Sequence, residues 1–235
     1  MDRPVAIITG AGLGIGRATA IELRRREYEL VLVARTETDL RETEKRAGAS
    51  ALIIPADVSD PDAVDRLVSR TLERFGRVDA LVHAAGVAPR LSIEETTPQR
   101  WREVLDVNLS AAMYLARAVW PTFRKRRAGV IVNVSSFSAR DPFPGLAAYA
   151  AAKGGINLLG LALAREGAEL GIRVHTVAPA AVETSMFRKL VRADQYPTEK
   201  TLAPEDVAHV IGQCVAGDLR YASGEVIWLQ KSAAS

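Results

Sequence analysis

At 235 residues, 48% hydrophobic and 25% charged, the chain suits one sizeable globular domain with a well-buried core, and is neither disordered nor fibrous. Its 31 basic and 28 acidic residues leave a formal charge of only +3, too mild and too dispersed to argue for a nucleic-acid partner. The lone Cys214, beside Val210, Ile211 and Val215, rules out an intrachain disulfide and predicts a buried, inert thiol, while the scattered His83, His175 and His209 suggest no metal site.

The first element is Pro4-Val5-Ala6-Ile7-Ile8-Thr9, a short apolar run that reads as a buried strand and passes at once into Gly10-Ala11-Gly12-Leu13-Gly14-Ile15-Gly16. A helical pattern follows from Arg17. Strand, glycine turn and helix N-terminus make an anion site: bare backbone lets a pyrophosphate approach, and unpaired helical N–H groups stabilise its charge. No Gly-Lys-Ser/Thr follows, so this is not a Walker loop, and a tight connection without a ligand is the plainer alternative.

Further strands are predicted at 29–34, 51–55, 79–83, 129–135, 172–177 and 225–229. Between them the pattern predicts helices at 36–47 with Thr36 as N-cap, from Ser59-Asp60-Pro61-Asp62 to Gly76, at about 97–126 and at 146–170, ended by Gly171. Another helix should start at Ala203-Pro204-Glu205-Asp206. Arg24-Arg25-Arg26 and Arg124-Lys125-Arg126-Arg127 fall in last helical turns, where cations complement the dipole, and read as solvated ends. No run approaches the roughly 18 apolar residues of a membrane span, and no charged leader precedes a long apolar segment, so a cytoplasmic setting is expected.

Regular alternation of strand and helix, without a linker or an internal repeat, implies an α/β fold of one domain: a doubly wound parallel sheet of Rossmann type with helices on both faces. A ligand belongs at the carboxyl ends of its strands, and Gly10 to Gly16, Asp57, Gly86 and Ser136 each come at or just after a strand end.

Tyr149 and Lys153 stand four apart in an alanine-rich run, so a helix carries both on one face. Bringing a phenol from pKa ~10 to about 7 needs roughly 3 units, or about 4 kcal/mol. One ammonium at about 4 Å in an effective dielectric of about 20 supplies on the order of that. The plainer reading is a surface pair on an ordinary helix.

Over nearly its whole length the chain resembles the classical short-chain dehydrogenase/reductase family. The resemblance rests on Thr9-Gly10-x-x-x-Gly14-x-Gly16, Asp57-Val58, Ala85-Gly86, Asn108, Ser136, Tyr149-x-x-x-Lys153, and Pro179 with Thr184. Ser136, thirteen residues before Tyr149, is favoured over Ser135 as the catalytic serine by the family's spacing. The resemblance implies an oxidoreductase in which Tyr149 moves a proton to or from the substrate oxygen and Ser136 hydrogen-bonds that oxygen. Lys153 would acidify Tyr149 and bind the nicotinamide ribose, and Asn108 would hold a water joining Lys153 to solvent. A structural Asn108, bonding helix backbone, is the alternative.

For the dinucleotide, Gly10, Gly12, Leu13, Gly14, Ile15 and Gly16 form the expected phosphate turn, with Ala85 and Gly86 opposite. Asp57 would bond the adenine with Val58 beside the ring, or simply cap the next helix. Pro179, backbone at Val182 and the Thr184 hydroxyl are candidates for the carboxamide. Ala34 stands where an acidic residue would accept the ribose hydroxyls of NAD, and Arg35 follows, able to clamp a 2′-phosphate, so NADP(H) is expected ahead of NAD(H). Against this, Arg35 as a loop cation, with Glu37 or Asp39 reaching a ribose, stays open.

The sequence departs from the family pattern at Ala180 after Pro179, at His175, at His83-Ala84-Ala85-Gly86 and in a final strand lacking its usual Asp-Gly-Gly ending. Residues 185–203 mix Met186, Phe187 and Leu190 with Arg188, Lys189, Arg192 and Lys200, and read either as a substrate lid or as a plain surface helix. Phe137, Phe143 and Leu146 belong to the same pocket or to the core. Helices apolar around much of their circumference predict a homodimer or homotetramer. The reading is a reductase of carbonyls or dehydrogenase of secondary alcohols near the oxoacyl reductase branch, with a small-molecule substrate and neither nucleic acid nor membrane as partner. A non-catalytic NADP-binding sensor and a sugar-nucleotide epimerase compete with it.

Overall fold

Seven parallel strands, in the order β3-β2-β1-β4-β5-β6-β7, make a single sheet in the computed structural model, which describes residues 3–48 and 50–231. They are β1 Val5–Thr9, β2 Glu29–Ala34, β3 Leu52–Pro55, β4 Ala80–His83, β5 Gly129–Val134, β6 Ile172–Pro179 and β7 Val226–Leu229. The order runs outward from β1 to β3 and then restarts at β4 on the other side of β1. That reversal opens a crevice at the carboxyl ends of β1 and β4, where a doubly wound sheet takes its ligand.

Both faces of the sheet are covered, so its strands are apolar at consecutive positions rather than alternate ones. On β1, Val5 and Ile7 join the core beneath α3 (Pro61–Phe75) and α5 (Ala111–Arg126), among Val64, Leu67, Leu115 and Phe123. Ala6 and Ile8 join the opposite core, beneath α1 (Gly14–Arg25), α2 (Glu37–Ala47) and α8 (Pro204–Ala216), among Ala20, Leu23, Leu40 and Ile211. Cys214 lies in this second core, where burial pushes its thiol up to about 12, as an inert cysteine requires.

Local chemistry sets the helix ends. The Asp60 carboxylate accepts from Asp62 N at 2.9 Å, Pro61 opens α3, and Gly76 closes it in the left-handed conformation. Thr36 occupies the N-cap position of α2, as the sequence predicts, but its hydroxyl makes no capping bond. The largest departure is the helix expected over 97–126. It is α4 (Pro98–Leu105), one π turn at Asp106–Ser110, and then α5. The wide turn admits the Asn108 side chain, whose amide donates to Val104 O at 2.9 Å and to Val87 O at 2.8 Å. The basic run at the end of α5 is also more than a solvated terminus: Arg126 turns back to Asp79 at 2.6 Å and to Val78 O.

Helix α6 (Ala147–Gly167) carries Tyr149 and Lys153 and is extended by a 3₁₀ turn to Leu170. Contrary to the expectation that no segment approaches a membrane span, Ala147–Leu170 has the length and mean hydropathy, 1.2, to cross one. Its packing on β6 and on the π turn accounts for part of that apolarity, with 39% of the stretch buried. Short helix α7 (Ser185–Leu190) lies in the segment predicted to cover the substrate.

Candidate active site

The glycine turn works through backbone proximity. A Cβ on Gly16 would stand 2.2 Å from Gly10 O, and Gly10 itself, at φ +66, lies where a Cβ would meet Ala85 N at 2.7 Å. Only bare backbone lets β1, the start of α1 and the end of β4 converge in this way. The result is the floor of a cavity of about 910 Å³, ample for a dinucleotide and a small substrate together. Gly12, Leu13, Gly14 and Ile15 line it, with Ala85 and Gly86 across the crevice.

The catalytic candidates meet on the wall of the same cavity. Tyr149, half-buried, sits in the first turn of α6, and Lys153, 4% exposed, follows one turn later with Nζ 5.6 Å from the tyrosine ring centroid. The ammonium donates to Val134 O at 2.8 Å, and Ser135 Oγ donates to Lys153 O at 3.2 Å, so the end of β5 and the helix are pinned together. Ser136, next along the chain, caps a 3₁₀ turn, its Oγ accepting from Ser138 N at 3.1 Å.

The electrostatics differ from the expected lowering of the phenol by the amine. Burial raises Tyr149 above the usual phenol range, the Ser136 hydroxyl brings it part of the way back, and Lys153 is not among the groups acting on it. The cause is geometric: Nζ is turned to Val134 O rather than to the phenolic oxygen. Burial in turn pushes Lys153 down to about 8.

Asn108 is the one predicted site residue behind the cavity wall rather than on it. Its Oδ1 accepts from Val87 N at 3.3 Å and would lie 2.7 Å from a Cβ on Gly86, so the side chain braces the loop after β4. Its side-chain bonds are those of the structural alternative.

At the far end, Arg35 and Asp57 line the cavity, with Val58 beside them. Arg35 is exposed and makes no hydrogen bond or ion pair among the described residues, whereas Glu37 is held by Arg41 at 2.9 Å. Asp39 packs against Gly12 and remains in reach of the cavity. The Asp57 carboxylate accepts from Ser59 N at 3.0 Å and Oγ at 2.7 Å, and against the opposing burial these bonds and the nearby Arg35 charge lower its pKa. Asp57 therefore both ties the turn before α3 and faces the cavity. The bare turn fits the pyrophosphate of a nicotinamide dinucleotide.

Pro179, Val182 and Thr184 line the opposite wall, Thr184 Oγ1 accepting from Phe187 N at 3.2 Å to start α7. Ala180 causes no strain, since Glu27 and Arg127 are the only non-glycine residues with positive φ among those described, and Ala180 N donates to Leu229 O at 2.7 Å. Phe137, Phe143, Leu146, Met186, Phe187, Leu190 and Lys200 from the expected pocket and lid all line the cavity. Sequence reasoning missed Arg90, Asp141 and the Gln230-Lys231 pair on the same wall, and covered Tyr196 only as an unnamed member of the 185–203 segment. Arg90 arrives because Gly145, at φ +86, leaves room for its stem, a contact no local motif announces.

The model of the short chain dehydrogenase family matches residues 4–195. An uncharacterized oxidoreductase of Staphylococcus haemolyticus is 33% identical over 88% of this chain and 88% of its own length. The 3-oxoacyl-[acyl-carrier-protein] reductase FabG of Escherichia coli K12 is 31% identical over 95% of this chain and 94% of its own. Among solved structures, levodione reductase superposes with a TM-score of 0.90 at 28% identity, covering 98% of this chain and 96% of that one.

Proposed function

The chain belongs to the short chain dehydrogenase family and is an oxidoreductase acting on CH–OH and C=O groups, and from that premise we propose that it is an NADP-dependent carbonyl reductase with Tyr149 as its general acid and base. The observation that carries the reading is convergence: Ser136, Tyr149 and Lys153 stand on the wall of the cavity whose floor is the glycine turn. A nicotinamide dinucleotide supplies the hydride. Gly10 to Gly16 hold its pyrophosphate, Arg35 its 2′-phosphate, Asp57 and Val58 its adenine, and Pro179, Val182 and Thr184 its carboxamide end.

In reduction Tyr149 delivers a proton to the substrate oxygen, and the pKa raised by burial keeps the phenol protonated and ready to donate. Ser136 donates a hydrogen bond to the same oxygen as charge develops on it. Lys153, on the same helical face as Tyr149, would hydrogen-bond the nicotinamide ribose. Asn108 holds the π turn and the loop after β4 in place behind them.

The apolar wall of Phe143, Leu146, Met186 and Leu190 suits a ketone with a hydrophobic body, consistent with the FabG relative, whose name assigns it an oxoacyl substrate. Exposed Trp101, Met113 and Leu158, on α4, α5 and α6, support pairing with a second copy in a cytoplasmic homodimer or homotetramer. Loss of NADPH absorbance with a panel of alkyl and aryl ketones tests the activity. Turnover is expected with at least the hydrophobic members. Tight NADPH binding without turnover of any ketone or alcohol would favour a dinucleotide sensor instead.

A further inference from the structure

The loop after β4 runs beside the first turns of α6. At one end a Cβ on Gly86 would stand 3.7 Å from Lys153 Nζ. At the other, Leu91 N donates to Gly145 O at 2.9 Å, and Gly145 directly precedes Leu146, the N-cap residue of α6. Tyr149 lies between these two contacts along the helix, four residues after Gly145 and four before Lys153. Four residues of helix rise roughly 6 Å, so the loop reaches Gly145 about that far along the axis from the proposed acid.

Arg90 sits at that far end. Gly145, at φ +86, has no Cβ, and one placed there would stand 2.8 Å from Arg90 Cγ and 3.5 Å from its Nε. The aliphatic stem is thus packed on the backbone before α6, while the residue as a whole is exposed and lines the cavity. Its guanidinium makes no hydrogen bond or ion pair among the described residues. Arg140, on the neighbouring loop after Ser136, is different: its guanidinium stands 6.0 Å from the Phe137 ring centroid and 5.9 Å from that of Trp228, engaged with aromatic faces. Lys200 and Lys231 line the cavity with Arg90 and likewise have no side-chain partner among the described residues, and Asp141 is the one unpaired carboxylate set against the three. The free charge on this part of the wall therefore favours an anion.

We propose that Arg90 is a specificity-determining residue and that the substrate is an oxo acid, bound with its carbonyl at Tyr149 and Ser136, its carboxylate on Arg90, and the chain between them against Leu146 and Phe143. The proposal rests on the reductase reading and names the substrate class of that same cavity. An exposed guanidinium keeps its water whether or not a neutral ketone binds, so it contributes nothing to one. A carboxylate meets its planar fork with two parallel, charge-assisted hydrogen bonds, and the stem held on Gly145 lowers the entropy lost in making them. The separation along α6 sets carbonyl and carboxylate apart by chain carbons rather than bonding them directly to each other. Leu146 and Phe143 flank Gly145 in the sequence and line the cavity, so an aliphatic chain spanning the two anchors lies against apolar surface.

The test compares NADPH oxidation with levulinate and its next two homologues against that with their methyl esters, at low ionic strength. At least one acid should exceed its ester in kcat/KM by about tenfold or more, chiefly through KM, and the advantage should shrink as salt is raised. Arg90→Met should bring the acid-to-ester ratio close to unity, Arg90→Lys should keep part of the preference, and Arg70→Met, at an exposed arginine on α3, should leave it in place. Should Arg90→Met not fold, Arg90→Gln makes the same removal of charge. Binding without turnover is read by calorimetry with hexanoate, which has no ketone to reduce, in the presence of NADPH. Its affinity should fall by about tenfold in Arg90→Met. A wild type that reduces every ester as well as its acid, or a hexanoate affinity that Arg90→Met leaves unmoved, overturns the proposal and leaves the reductase reading standing. A preference for the corresponding oxoalkyl phosphates over the acids overturns the carboxylate assignment. Absence of turnover with every ketone, acid and ester refutes the reductase reading, and the hexanoate titration then still decides whether Arg90 holds a carboxylate.

Discussion

The two ends of the cavity are built by different means. The dinucleotide end is backbone: glycines at van der Waals limits, strand ends in fixed register, and a turn that no side chain can enter. The substrate end is side chains, carried on the loop before α6, on α7 and on the segment after it, with Phe143, Met186 and Lys200 exposed. A site made of backbone tolerates few sequences and therefore names its ligand. One made of exposed side chains accepts many, which is why the chemistry is legible here and the substrate is not.

Tyr149 stands where the two ends meet, and its loss should separate them most sharply. Tyr149→Phe keeps the ring and its packing but removes the proton, so turnover should fall by a factor on the order of 10² to 10⁴. NADPH affinity, read by fluorescence titration, should stay within about threefold, because the dinucleotide end is untouched. Activity retained at wild-type level would end the acid role.

A rigid backbone floor makes a second demand. Gly16→Ala puts a methyl 2.2 Å from Gly10 O, a contact with backbone that no rotamer relieves. Overpacking of this kind costs about 1 to 3 kcal/mol, so Tm should drop by several degrees and NADPH binding should weaken by about tenfold or more. Arg35→Asp probes the same end through a side chain rather than the backbone. Replacing the unpaired cation by a carboxylate should move the NADPH/NADH preference by roughly tenfold toward NADH, with kcat for the better cofactor nearly unchanged. A ratio of specificities that moves less than twofold would transfer the choice of cofactor to Asp39, which also reaches the cavity.

The same contrast explains what the sequence reveals. Alternating apolar runs and helix stops give the sheet and nearly all its helices, because burial on two faces and glycine or proline at the ends leave local signals in β1, α3 and α6. The π turn at Asp106–Ser110 leaves none, since its driving force is a tertiary one, the bonds from Asn108 to Val87 on another segment. Arg90 and Lys231 reach the cavity through packing between distant loops and are equally silent. The Tyr149 and Lys153 spacing correctly places both on one helical face, yet the direction of Nζ follows from Val134 on β5, which helical periodicity cannot see.

The segment proposed to cover the substrate has one feature that makes it more than loose side chains. Arg188 on α7 donates through Nε to Glu183 Oε1 at 2.7 Å and through a terminal nitrogen to Tyr196 O at 2.7 Å, and Phe187 meets Tyr196 edge-on at 5.5 Å. The latch ties α7 to the segment that follows it. Arg188→Met should loosen it without touching the dinucleotide floor, raising KM by about two- to fivefold, the range of a solvent-screened ion pair, with NADPH affinity constant. The Arg188 guanidinium and the Thr201 hydroxyl hold Glu183 down to about 2, against 4.5 for a free glutamate. A depressed carboxylate contributes stability above its unfolded pKa and loses it as pH falls through the folded value. The Tm difference between wild type and Arg188→Met should thus be level above about pH 4.5 and shrink toward pH 2. If the difference is instead flat across the whole range, Arg188 acts through its apolar stem and the Tyr196 carbonyl, and this segment is held by packing rather than by charge.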